Sequence, residues 1–283
     1  MSTKVTLTGT GIPNVVADRA GAGVLIQTPS CTLQFDAGRA TCNRMAAAGV
    51  QPTGVDVVFI THFHSDHVFG LPELLLSRWI ENQIITTAPL VIVAPNGSSV
   101  RFAQRMLEPY DDDIAVRREH TGVGPVEVDI RGFAVTQQPS VVWTSDDGLV
   151  RVSAVGVRHE PVQDAVAYKI ETPEGSIVIS GDTRICQEVE DLSRNADILI
   201  HECFRRAPLE ELLKIHPEFE TILEYHSDAP GVGALAERAN VKHLMLTHLG
   251  PPPIIDADFE ADVRSGGFNG QISVGHDLMS VEL

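Results

Sequence analysis

Short apolar runs of period two, broken by Gly- and Pro-containing turns, recur along the chain and alternate with stretches of helical period. Residues 4–10, 24–27 and 32–35 predict strands linked by hairpins. Residues 39–48 predict a helix that Gly49 ends, since glycine tolerates the left-handed turn that closes a helix. The chain then enters Val55-Asp56-Val57-Val58-Phe59-Ile60, whose β-branched and aromatic content predicts a buried strand. Helices follow over 71–79 and 98–107, with a strand at 90–94 between them. Residues 109–147 carry the weakest pattern, and Asp111-Asp112-Asp113 within them reads as a solvated loop. Strands resume from Leu149, Glu171-Thr172-Pro173-Glu174-Gly175 predicts a hairpin turn, and a helix over 231–239 leads to a last strand ending near Leu249.

Polar residues with metal-binding chemistry gather where these strands end. His62-Phe63-His64-Ser65-Asp66-His67 closes the strand that begins at Val55. In extended backbone alternate side chains share a side, so His62 and His64 can grip one ion while Asp66 and His67 serve a second. Gly156-Val157-Arg158-His159 ends another alternating strand with a single His. Ile177-Val178-Ile179-Ser180-Gly181-Asp182-Thr183 ends a third with an Asp, and Leu244-Met245-Leu246-Thr247-His248-Leu249 ends the last with a His. Imidazole and carboxylate donors without cysteine suit Zn²⁺, Mn²⁺ or Fe²⁺.

This order of motifs, from Val5 to about Pro253, resembles the metallo-β-lactamase superfamily. The resemblance implies an α/β fold: a four-layer αββα sandwich of two mixed β-sheets, filling 1–283 as one domain, with the metals at one edge of the sheets. It puts His62, His64 and His159 on one metal, Asp66, His67 and His248 on the other, and Asp182 between them. The implied cofactors are two Zn²⁺, with Mn²⁺ or Fe²⁺ as alternatives. Two such ions lower the pKa of a shared water to about 7, which supplies a nucleophile at neutral pH. Asp197-Ile198-Leu199-Ile200-His201-Glu202-Cys203-Phe204 and Tyr225-His226-Ser227-Asp228 are similar to two motifs of the ribonuclease Z-like branch, differing from it at Cys203 and Phe204. There a Glu orients a His that faces the leaving group. Glu202 and His226, with Asp66, are the catalytic residues this implies.

Charge and length then narrow the substrate. Processing enzymes of that branch carry a long arm for the tRNA body between the positions of His159 and Asp182, and here that interval is short. Net charge is −17, the wrong sign for a partner held through its phosphates. The segments Leu7-Thr8-Gly9-Thr10-Gly11-Ile12-Pro13, Asp18-Arg19-Ala20-Gly21 and Leu246-Thr247-His248-Leu249-Gly250-Pro251-Pro252 look more like the arylsulfatase-like subgroup. The expectation is therefore a small-molecule ester hydrolase acting on an aryl sulfate or phosphate ester, with no nucleic-acid or membrane partner. A ribonuclease Z-like phosphodiesterase acting on RNA 3′ ends and a lactonase or carboxylic esterase are the alternatives. An iron-dependent redox protein is disfavoured because His64 stands where flavodiiron relatives usually have Glu. A homodimer is implied by resemblance alone.

With 283 residues and 43% apolar content the chain can bury a large core. No apolar run reaches the roughly eighteen residues of a membrane span, and no leader is read at the start. The cysteines at 31, 42, 186 and 203 lack framework spacing and read as reduced thiols in a cytoplasmic protein. Asp36, before Ala37 and Gly38, reads equally as a turn former and as a hydrogen-bond partner of a ligand His. Phe69, Trp79 and Tyr225 are candidate pocket walls, and Arg78, Arg158 and Arg184 candidate anion contacts. His120, His216, His243 and His276 lie outside every motif and read as solvated.

Overall fold

The strands segregate into two sheets because each carries one face for the space between them. The computed structural model describes residues 2–283. The first sheet comprises β1 (Lys4–Gly9), β2 (Gly23–Gln27), β3 (Thr32–Phe35), β4 (Val57–Phe59), β5 (Leu90–Pro95) and β6 (Val128–Phe133), with β14 (Ser280–Glu282) beside β1. The second runs from β7 (Ser140–Thr144) through β8 (Arg151–Gly156), β9 (Val166–Glu171), β10 (Ser176–Ile179), β11 (Ile198–Phe204) and β12 (His243–Gly250) to β13 (Gln271–Val274). Both are mixed. β1, β2 and β3 pair antiparallel and β3 to β6 parallel. β7 to β10 pair antiparallel and β10 to β13 parallel.

Three hydrophobic layers hold the sandwich. Between the sheets, the rings of Phe35 and Phe59 stack at 4.6 Å and Tyr168 meets both edge-on. The opposite face of the first sheet, with Val58, Ile60 and Ile92, is covered by Leu71, Leu74 and Leu75 of the helix Leu71–Glu81. The outer face of the second, with Leu199 and Leu244, is covered by Val232 and Leu235 of the helix Ala229–Arg238 and by Phe259 of the helix Asp256–Ser265. Each such buried side chain contributes roughly 1.5–3 kcal/mol relative to exposure. Two mixed sheets between helical layers are the architecture expected from the resemblance.

Several elements depart from the pattern reading. The acidic run is no loop: Asp111, Asp112 and Asp113 form the first turn of the helix Asp111–Thr121, where their charges face the positive end of the helix dipole. The stretch 109–147 also supplies β6 and β7, whose residues are only partly buried and so show little alternation. The helix expected from 39 begins at Thr41, because Ala40 takes a left-handed backbone conformation (φ 62°). Trp79 is 4% exposed and donates its indole N–H to the Gly124 carbonyl at 3.0 Å, and it does not line the cavity at the donors. Arg78 is likewise structural, with its guanidinium donating to the carbonyls of Pro52, Val55 and Ala88. His243 is buried, not solvated, and pairs through Nε2 with Ser273 Oγ at 2.9 Å.

Candidate metal centre

β4, β8, β10 and β12 all deliver a candidate donor from their C-terminal ends to one edge of the sandwich, the place where α/β sheets present ligand sites. Beyond β4 the chain leaves the sheet, and His62 and His64 precede a short helix, Ser65–Val68, that turns Asp66 and His67 back toward the same point. This tight reversal needs glycine below it. A Cβ at Gly38 would lie 2.2 Å from the Asp66 carbonyl oxygen. Gly181 (φ 60°) sets Asp182 in place in the same way, since its Cβ would meet the Val166 carbonyl at 2.8 Å.

His248 reaches the site by a different device. Glu202 pairs with Thr247 and Cys203 with Leu249, which leaves His248 as the extra residue of a bulge in β12. Its φ of 47° lies in the left-handed region, strained for a residue with a Cβ. Alternation along a regular strand would have directed this side chain elsewhere.

The seven sequence candidates meet in two donor groups. His62, His64, His159 and Asp182 form one and Asp66, His67 and His248 the other, with the donor atoms of each group within 4.8 Å of one another. Asp182 lies against both, with Oδ2 at 3.7 Å from His62 Nε2 of its own group and Oδ1 at 3.2 Å from His67 Nε2 of the other. His62 Nε2 is buried without a hydrogen-bond partner, and His67 Nε2 and Asp182 Oδ1, buried as well, face each other without forming a hydrogen bond. Such atoms cost about 1–3 kcal/mol each when left unmet, so their convergence fits divalent cations. The cluster is a divalent-metal site by its donors and by this unmet polarity.

Outer contacts aim the rings. Asp36 accepts from the Thr61 backbone N–H at 2.8 Å and from Thr61 Oγ1 at 2.7 Å, and pairs with His67 Nδ1 at 2.8 Å. Thr61 Oγ1 in turn lies 3.0 Å from His62 Nδ1, and His159 Nδ1 lies 3.2 Å from the Tyr225 carbonyl. With Nδ1 donating, each of these rings leaves Nε2 unprotonated toward the centre. Asp36 thus does both jobs weighed for it, since it also adopts a turn conformation (φ 52°). Burial holds His62 well below the usual imidazole range, and also lowers His64 and His159, so these rings are neutral and able to ligate. Burial opposes charge on His67 too, but Asp182 and Asp36 outweigh it and raise its pKa. Burial also favours a neutral Asp182, and the surrounding imidazoles override it to hold that carboxyl well below its usual range.

Beside the cluster, Glu202 Oε2 lies 2.8 Å from His226 Nδ1. Glu202 also accepts from the backbone N–H groups of Thr183 and Ser227, so its position is set from three directions. It has no contact with Arg205, which binds Asp258 and Asp262, or with Arg206, which binds Glu220. Burial works against a charged His226, but the Glu202 carboxylate prevails and raises its pKa to about 9. His226 stacks on His248 at 5.7 Å between ring centroids. Tyr225 lines the cavity in front of the donors, whereas Phe69 is 70% exposed. Arg158 pairs with Glu188 and Arg184 with Glu160, so neither is a free anion contact.

These donors at the edge of a sandwich of two mixed sheets define a hydrolase of the metallo-β-lactamase fold. The chain belongs to the metallo-β-lactamase superfamily: residues 29–249 match the β-lactamase superfamily domain. It is 35% identical to the Ribonuclease Z of Mycobacterium sp. (strain KMS), an alignment covering 99% of this chain and 96% of that protein. Among solved structures it resembles the metallo-β-lactamase fold protein YhfI from Bacillus subtilis, with TM-score 0.76, 20% identity and full coverage of both chains. Human tRNase Z, short form, aligns with TM-score 0.68 and 21% identity over 98% of each chain.

Proposed function

We propose that this protein is a binuclear metal-dependent phosphodiesterase. The observation that carries the reading is the Glu202–His226 pair set beside the two donor groups, a proton donor next to a cation site. Bound divalent ions, with zinc the best match to this donor set, would activate water and offset the charge developing at phosphorus. His62, His64 and His159 would hold one, Asp66, His67 and His248 the other, and Asp182 both. His226, protonated at neutral pH and fixed by Glu202, donates its proton to the departing oxygen. Thr183 and Ser227 hold the Glu202 carboxylate so that the ring cannot swing away.

The Ribonuclease Z name of the mycobacterial relative favours a phosphodiester over the sulfate ester, and reopens the nucleic-acid substrate that the charge balance argued against. RNA 3′ ends are therefore the first substrate class to test. A second reading, a small diester, is favoured by the surroundings of the site, where Arg158, Arg184, Arg205 and Arg206 are each held by a carboxylate. The deciding experiment assays zinc-loaded protein against a 3′-extended tRNA, bis(4-nitrophenyl) phosphate and 4-nitrophenyl sulfate. Cleavage of either phosphodiester with no sulfate hydrolysis is expected, and the reverse preference would overturn the assignment. The four free thiols accord with a reducing, cytoplasmic setting. Among the described residues no helix is long and apolar enough to cross a membrane.

A further inference from the structure

The cavity in front of the donors does not stop at them. It holds about 530 Å³ and is lined by Asp66, Asp182 and His248 of the donor groups, by Tyr225 and His226, and by the apolar Leu212, Phe219 and Ile222. The apolar part is roofed by the segment between β11 and the helix Ala229–Arg238, which contains the helices Glu210–Ile215 and Glu220–Leu223. Leu212, Phe219 and Ile222 remain 41%, 39% and 42% exposed, although each lines the cavity. Apolar side chains left wet inside a concavity next to a reacting centre gain free energy when an apolar ligand covers them. The same segment carries Glu210, Glu211, Glu218, Glu220, Glu224 and Asp228 against Arg205, Arg206 and Lys214, a negative balance that disfavours a chain of phosphates.

We propose that this cavity binds an apolar alkyl or aryl group on the alcohol that the reaction releases, so that the substrate is a small diester with a hydrophobic leaving group. The inference rests on the phosphodiesterase reading for the bond cleaved, and on the cavity for the group attached to it. His226 stacks on His248 of the donors and its backbone N–H donates to the carbonyl of Leu223, in the segment that supplies the apolar lining, so a group bonded to the oxygen that takes its proton can reach that lining. Water adds to phosphorus, the bond from phosphorus to the alcohol oxygen breaks, and that oxygen takes the proton from His226. The ring is reprotonated from the water consumed. The products are a phosphate monoester and an apolar alcohol. A nucleotide would instead set the polar edges of ribose and base against Leu212, Phe219 and Ile222, at a desolvation cost.

The test uses methyl phenyl phosphate and methyl 4-butylphenyl phosphate, whose phenols leave equally well and differ in apolar size. Each methylene buried is worth about fourfold, so kcat/KM should rise at least tenfold from phenyl to 4-butylphenyl. Leu212→Gln/Ile222→Gln, at partly exposed positions that the fold does not need, should bring that ratio below about three. Titration calorimetry with 4-butylphenol alone should show binding to the wild type and at least tenfold weaker binding to the double variant. Equal turnover of both diesters with no 4-butylphenol binding would overturn the cavity assignment while leaving the phosphodiesterase standing. Binding of 4-butylphenol without hydrolysis of any diester would overturn the phosphodiesterase reading and keep the cavity. Faster cleavage of 3′-extended RNA than of the butylphenyl ester would refute the small-diester substrate.

Discussion

At the residue scale the chemistry divides between groups that hold cations and groups that handle protons, and substitution separates them. Asp182→Ala removes a carboxylate that lies against both donor groups, so metal analysis should show less than full loading. His226→Ala should keep its metal and lose about a hundredfold or more in kcat, the usual contribution of a general acid. Glu202→Gln removes the charge that lifts His226 to about 9. On the proposed general-acid role the protonated ring is the active form, present below its pKa, so wild-type activity should fall as pH rises past about 9. In Glu202→Gln that alkaline limb should begin at lower pH, and an unchanged pH profile would sever the link between the two residues. Asp36→Asn weakens the partner that orients His67, and should reduce metal affinity about 10–100-fold with the fold intact. The thiols make a separate test. Burial pushes Cys42 up to about 12 and raises Cys31, Cys186 and Cys203, so alkylation at pH 8 should be slow until denaturant is added.

At the scale of elements, strand ends and short loops do the positioning while strand interiors supply rigidity. Tyr168 in β9 shows the connection: its buried hydroxyl donates at 2.7 Å to the carbonyl of Ile60, two residues before His62. Tyr168→Phe leaves that carbonyl unmet in the core and should destabilise by about 1–3 kcal/mol, read as a lower urea midpoint at unchanged m-value. The β12 bulge concentrates two costs, a strained φ and a broken ladder, at the residue that completes the second donor group. The roof helices between β11 and the helix Ala229–Arg238 differ from both. They leave apolar residues half exposed, which suits an element whose shape answers to a ligand rather than to the core.

At the scale of the whole molecule, three hydrophobic layers hold the two sheets, and the donors crowd at their edge with unmet polarity. Binding to the native state alone should therefore raise stability by mass action, so zinc should increase Tm and excess chelator should lower it without unfolding the protein at 25 °C. The charge of −17 is also a property of the whole. For a small diester, kcat/KM should change little between 50 and 200 mM salt. A steep fall over that range would indicate a polyanion held by many phosphate contacts.

The donors were legible in the chain because strand termination and metal ligation leave local marks: a β-branched run, then His62, His64, Asp66 and His67 within six positions. The resemblance extended this to His159, Asp182, His248, Glu202 and His226, whose spacing along the chain carries no distance in space. What stayed hidden depended on partners far away in sequence. Asp36 gave two readings until Thr61 and His67 were seen around it, and Trp79 stood between pocket wall and core until its indole N–H was found donating to the Gly124 carbonyl. The acidic turn at Asp111 passed for a loop because a solvated helix end and a solvated loop have the same composition. By itself the sequence carried the motifs from which the resemblance implied the sandwich class and the candidate donors, since ligand chemistry is written residue by residue. Only the tertiary structure decided the aim of His248, the clamp on Glu202 and the apolar cavity, because each arises where segments distant in sequence are packed against one another.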